Sequence, residues 1–233
     1  MFFYDPRYLM FMLPGIILMM LVQWYVKSAY SRWSQVAARS RMTGAEAAQR
    51  LIQAGGLYGV QIEGIAGNMT DNYDPRDKVL RLSRGVYASN SVAALAIAAH
   101  ELGHAMQDKE DYFPLRLRSA IVPAVSIGSY LGWILIIIGM LLQLTQIAWL
   151  GILVFSGGAI FALATLPVEL NASARARRLL TDSGLIQGED EMRGVSNVLN
   201  AAAMTYVAAL VTAVMQLLYW VTIVLGMGGR RRS

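Results

Sequence analysis

Three long stretches of this 233-residue chain carry no charge, and that feature limits what it can fold into more than any other. Residues 8–26, 119–168 and 194–229 contain no Asp, Glu, Lys or Arg. Each reaches or exceeds the about 18 apolar residues that mark a helix crossing a bilayer. Hydrophobic residues make up 56% of the chain and charged ones 15%, against about 45–50% and about 25% in soluble domains. The chain therefore reads as an integral membrane protein. It has no cysteine, which excludes a disulfide-stapled scaffold, a thiolate metal site and a cysteine nucleophile. A net charge of +5 points to nucleic acid in a soluble protein, but here the Lys and Arg flank apolar runs, as membrane orientation requires. Nucleic acid is not an expected partner; the lipid bilayer is.

The runs divide into spans. Residues 8–26 are too long for a signal-peptide core and have no cleavage site after them, so they read as an uncleaved anchor, transmembrane helix 1. The second run is about twice as long as one span needs and is interrupted by Gln143, Thr145 and Gln146. This predicts a hairpin over 119–166, with arms at about Ile121–Leu142 and Ile147–Leu166. Residues 200–227 supply a fourth span, and a basic tail, 228–233, follows it. If 27–118 and 167–196 are cytoplasmic, the stretches Lys27–Arg118 and Pro167–Arg193 hold 16 of the 20 Lys and Arg, leaving Arg7 and Arg230–Arg232 outside. The fold class expected is a mostly α membrane protein of about four transmembrane helices with a small α+β cytoplasmic insertion.

Within that insertion, Thr43-Gly-Ala-Glu46 is a capping box that opens a helix running to Ala54, and Gly55-Gly56 ends it. Gly59–Ile65 and Lys78–Ser83 read as strands, with turn chemistry at Asp71–Pro75 between them. From Ser91 to Gln107 an alanine-rich stretch reads as a helix capped by Ser89 or Asn90.

That helix carries His100-Glu101-Leu102-Gly103-His104. Histidines four apart share one helix face, so both imidazoles can reach one zinc ion while Glu101 faces the metal's water as general base. Zinc acidifies that water and polarises a scissile carbonyl, and the carboxylate relays the proton to the leaving amine. The same residues could be ordinary polar groups on an exposed helix. Yet these are the chain's only histidines, and an Ala-Leu-Ala-Ile-Ala-Ala helix is a costly place to bury them without a purpose.

A catalytic zinc needs a third protein ligand and an open fourth position. No further histidine or cysteine exists, so the ligand is an acid: Asp108, Glu110, Asp111 or Glu169. The hairpin favours Glu169, because two antiparallel spans return the chain to the side it left, whereas the 108–111 acids lie on the same helix or its immediate exit. An ionisable residue beside an apolar span is also functional by default; the alternative is a boundary carboxylate snorkelling to water.

The segments His-Glu-Leu-Gly-His-Ala-Met-Gln at 100–107, Asp-Asn-Tyr-Asp-Pro-Arg-Asp-Lys-Val-Leu-Arg-Leu-Ser at 71–83, Pro-Val-Glu-Leu-Asn-Ala-Ser at 167–173 and Val-Leu-Asn-Ala-Ala-Ala-Met-Thr-Tyr-Val-Ala-Ala at 198–209 together resemble the YugP-type membrane zinc metallopeptidases of bacteria. The resemblance covers nearly the whole chain. It implies a multi-pass zinc peptidase of a bacterial cell membrane, distantly similar to the HtpX-type gluzincins, in which a Glu-x-x-Ala-Asp motif supplies the third ligand. Laid on this chain, that motif is Glu169-Leu-Asn-Ala-Ser173. Ser173 replaces the acid that supports a zinc-bound histidine in gluzincins, so support is expected from another residue, Asn171 or Asp108. Asn72 stands where the family's Asp-His-Tyr-Asp-Pro carries histidine, which removes any metal role at that position.

Lesser candidates complete the reading. Lys78–Ser83 is either an edge strand that pairs with substrate or a plain core strand. Asn200 and Tyr206 are candidates for stabilising an oxyanion, with interface anchoring the simpler role for Tyr206. Arg175 could contact a substrate carbonyl, or with Arg177 and Arg178 simply mark the positive-inside side. The function expected is a zinc endopeptidase with one catalytic ion, cleaving peptides or membrane proteins near the cytoplasmic membrane surface. Two other classes are an intramembrane site-two-type protease, distinguished by a metal helix within the bilayer, and a zinc-stabilised scaffold, which has no need of Glu101.

Overall fold

The computed structural model describes residues 6–229; the expected tail at Arg230–Arg232 lies outside them. Eight helices and three strands follow in order: α1 (Pro6–Trp33), α2 (Gly44–Ala54), β1 (Gln61–Ile65), β2 (Asn72–Asp74), β3 (Val79–Ser83), α3 (Arg84–Tyr87), α4 (Val92–Lys109), α5 (Phe113–Leu141), α6 (Thr145–Phe155), α7 (Gly157–Asp182) and α8 (Glu189–Gly229). Among the described residues, four helices are long and apolar enough to cross a membrane: Pro6–Trp33, Phe113–Leu141, Thr145–Asp182 with α6 and α7 taken together, and Glu189–Met227. Apart from the turn at 142–144, the charge-free runs lie in α1, α5, the joined α6 and α7, and α8, and these helices extend beyond them. Much of 167–196 is consequently helix rather than connecting loop, with Pro167 inside α7.

The chain divides into two compact units. The first draws on described residues 6–21, 116–166 and 205–229. Its buried centre is Met12, Ile136, Ala148, Ile152, Tyr219, Trp220 and Val224. Small residues let the arms α5 and α6 touch backbone to backbone: a Cβ on Gly132 would lie 2.6 Å from Phe155 N, and one on Gly151 2.6 Å from Ile136 N. Gln143, at φ 57°, turns the chain between the arms. Leu9, Ile16, Ile127, Leu141, Leu153 and Leu163 are exposed, the surface a lipid solvent requires.

The second unit comprises residues 22–115 and 167–204. The Thr43–Glu46 capping box forms as the sequence requires, with Thr43 Oγ1 accepting from Glu46 N and the Glu46 carboxylate accepting from Thr43 N. The small sheet has the order β1-β3-β2, with β1 parallel and β2 antiparallel to β3. One sequence alternative is decided here and one expectation changes. β3 is the plain core strand and not the edge: Val79, Leu80, Leu82 and Ser83 are buried, and strands pair on both its sides. The Asp71–Pro75 cluster is only partly a turn, since Asn72–Asp74 form an edge strand. Asp71 accepts from Ser83 N at 2.7 Å and Ser83 Oγ at 3.0 Å, so its turn-type chemistry serves a long-range tie. Arg81 pairs with Asp74 at 3.0 Å, whose carboxyl is held below its usual range chiefly by that hydrogen bond.

Helix α4 runs through the core of this unit. Its cap is Ser91, whose Oγ accepts from Ala94 N at 3.2 Å; Ser89 acts one step back, donating to Ser91 Oγ. Ala93, Ala94, Ala96, Ala98, Ala99 and Ala105 are buried, so neighbours can approach α4 closely. Gly103 marks one close approach: a Cβ there would meet the Ala172 carbonyl oxygen at 2.5 Å.

Candidate metal centre

The chain leaves the second unit at Leu115 and re-enters it at Pro167, and the re-entering helix α7 meets α4 where Gly103 lies against Ala172. Glu169, one turn before Ala172, is 2% exposed. Its Oε2 lies 3.3 Å from His100 Nε2 and 3.5 Å from His104 Nε2. The two imidazoles stand edge to face with centroids 4.9 Å apart. The ligand atoms of His100, His104 and Glu169 all fall within 4.8 Å of one another, a set that could hold a metal ion.

The donor set suits zinc by type and by distance. Two imidazole nitrogens and one carboxylate oxygen are a catalytic zinc set with a fourth position left over. Zinc bond lengths of about 2.0–2.1 Å in a tetrahedron put neighbouring ligand atoms about 3.3–3.4 Å apart, and the carboxylate sits at 3.3 and 3.5 Å from the two nitrogens.

Both Nδ1 atoms are engaged. Ser173 Oγ lies 3.2 Å from His100 Nδ1, so Ser173 meets a histidine of the candidate metal set. Gln107 Oε1 lies 3.0 Å from His104 Nδ1. Gln107 itself donates to Val168 O at 2.8 Å and to Asn171 Oδ1 at 2.9 Å. Arg175 Nε donates to Asn171 Oδ1 at 2.7 Å, and its Nη1 pairs with Glu110 at 2.8 Å. Asn171 thus supports His104 through Gln107 rather than directly. Asp108 instead accepts from Tyr73 OH at 3.0 Å.

Glu101 lies on α4 between the histidines, and its Oε2 accepts from the edge-strand N–H of Tyr73 at 3.1 Å. Burial pushes its carboxyl above the usual glutamate range, although the His100 and His104 charges pull the other way. Burial opposes the charged form of His104, but the Glu169 hydrogen bond and the Glu101 and Glu169 charges outweigh it and raise its pKa. The Tyr73 phenol is raised by burial and by Asp108.

Of the residues singled out in the sequence, the structure gathers His100, Glu101, His104, Glu169, Asn171, Ser173 and Arg175. Asn200 accepts from Arg177 at 2.7 Å, and Tyr206 belongs to the first unit. Gln107 and Tyr73 were not singled out. Gln107 sits three residues after His104, hence on the same helix face, and that spacing was the available signal.

Residues 8–225 match the family described as "Putative neutral zinc metallopeptidase". The chain is 45% identical over 203 residues to the "Putative membrane protease YugP" of Bacillus subtilis (strain 168), covering 87% of this chain and 90% of that protein. No solved structure matches it.

Proposed function

The chain belongs to the neutral zinc metallopeptidase family, and from that premise we propose that it is a membrane-bound zinc endopeptidase that cleaves peptide bonds close to the cytoplasmic membrane surface, with Glu101 as its general base. The observation that carries this reading is the convergence of His100, His104 and Glu169 from two helices, with Glu101 beside them on the helix that bears both histidines.

His100 and His104 offer their Nε2 lone pairs and Glu169 its carboxylate. Zinc bound there supplies Lewis-acid polarisation of the scissile carbonyl and lowers the pKa of water toward about 7. Glu101 takes a proton from the attacking water on a carboxylate oxygen. It delivers that proton to the amine nitrogen as the C–O bond forms and the C–N bond breaks. The Tyr73 N–H on Glu101 Oε2 holds the carboxylate in place, and the buried alanine flank of α4 keeps bulk water from its core side.

Helix α4 is not among the four helices long and apolar enough to cross a membrane; it ends at Lys109, and Glu110 and Asp111 follow it directly. Both facts support cleavage at the membrane surface over cleavage within the bilayer. The Lys and Arg concentrated at 27–118 and 167–193 support a cytoplasmic site. Peptides and membrane-protein segments are the substrates this placement favours.

The test is Glu101→Gln in the purified full-length protein. It should keep about one zinc per chain and lose about 10²- to 10⁴-fold in peptidase turnover, the contribution of general acid–base catalysis. Unchanged turnover would refute the mechanism.

A further inference from the structure

Gln107 is completely buried beside the site. The directions of its hydrogen bonds are fixed because two groups in the network cannot change roles. Val168 O is a carbonyl and only accepts, so the Gln107 atom 2.8 Å from it is the amide nitrogen Nε2. Arg175 only donates, so the Asn171 atom 2.7 Å from its Nε is the oxygen Oδ1. That oxygen accepts from Gln107 Nε2 at 2.9 Å. Both amide protons of Gln107 are thereby committed, and its Oε1, 3.0 Å from His104 Nδ1, can only accept. Its partner must then be an N–H.

We infer that Gln107 is a positioning residue that locks His104 in the Nδ1–H tautomer, through a directed chain running from the Glu110–Arg175 ion pair by way of Asn171, and so leaves the Nε2 lone pair open toward Glu169. The inference rests on the reading of His104 as a metal ligand for its purpose, but not for its geometry. A neutral imidazole otherwise takes whichever tautomer its neighbours select. His100 is held differently: its Nδ1 meets the Ser173 hydroxyl, which can donate or accept and so imposes no choice. The outer end of the chain is anchored by charge, with Arg175 pairing with Glu110 at 2.8 Å and lying over the Tyr112 ring at 5.7 Å. A carboxamide between two fixed acceptors is thus specific where a hydroxyl is adaptable.

The chain has only two histidines, so ¹⁵N-histidine labelling of the full-length protein in detergent reports on this site alone. The measurement is the pair of ring-nitrogen shifts at alkaline pH, where both rings are neutral, in metal-free protein carrying Glu169→Ala so that no carboxylate competes for a proton on His104 Nε2, with His100→Asn used to assign them. With Gln107 as in the wild type, His104 should carry its proton on Nδ1. Adding Gln107→Leu should lose that single tautomer, and in the chain with Glu169 intact it should lower zinc affinity by about 10- to 100-fold, the usual cost of removing a ligand's hydrogen-bond partner. The same tautomer with Gln107 and with Gln107→Leu would overturn the inference. If Gln107→Leu does not fold, the spectrum with Gln107 in place still decides, because a proton on His104 Nε2 would overturn it equally. Nδ1–H on His104, together with a wild-type protein that binds no zinc, would uphold the tautomer lock and refute the metal site itself.

Discussion

Replacing Gly103 by alanine isolates the contact that sets Glu169 against the two histidines. The added Cβ would lie 2.5 Å from the Ala172 carbonyl oxygen, 3.0 Å from its carbon and 3.1 Å from its Cα. Relaxed contact needs about 3.5 Å, and all three atoms are backbone, so α4 and α7 must part by about 1 Å here. Alanine gains about 1 kcal/mol in a helix interior over glycine, while overpacking costs about 1–3 kcal/mol. The net loss is at most about 2 kcal/mol, and the fold should survive. The metal site has less room, because ligand distances are held to within about 0.2 Å and Glu169 is one turn from Ala172 on the same helix. We expect Gly103→Ala to retain parental helix content and to lose zinc affinity by at least about 10-fold, the smaller cost seen when a ligand's surroundings are disturbed. Competition against a chromophoric zinc chelator measures the affinity, with thermal unfolding of the metal-free protein as the control. Parental affinity in a folded Gly103→Ala protein would show that the close approach of α4 and α7 does not place Glu169.

Two further outcomes follow from the same geometry and from the charge distribution. Glu169→Ala should empty the site, since it removes one of three protein ligands, whereas Asp108→Ala, which loses only the Tyr73 hydroxyl contact, should stay close to wild-type zinc content; equal retention in the two would place the third ligand elsewhere. With no native cysteine, Gln53→Cys should resist a membrane-impermeant thiol reagent in intact cells while Gln143→Cys reacts, and the reverse pattern would put the site outside.

What could be read in advance was whatever depended on a residue's own type or spacing. The spans followed from the lack of charge, the α2 cap from Thr43 and Glu46, and the metal helix from two histidines four apart. Glu169 required one topological step, the hairpin. The harder parts depended on a partner far away in sequence. Asp71 looks like a turn former because its short carboxylate serves local backbone, yet here it serves Ser83 across the sheet. Lys78–Ser83 could not be ranked as edge or core because pairing on both sides is a property of β1 and β2, not of that strand. Support for a ligand histidine was sought from Asn171 or Asp108, whereas a neutral carboxamide one turn along the same helix makes the contact to His104.

The ligands also arrive in a fixed order during synthesis. His100 and His104 leave the ribosome first, and Glu169 follows only after the apolar residues 119–166 between them. The carboxylate can join the histidine pair only once both arms of the hairpin have been made and the chain has turned back at Gln143. A chain stalled before the hairpin is made holds only part of the candidate metal site. Completion of the hairpin and completion of that site are, on this layout, one event.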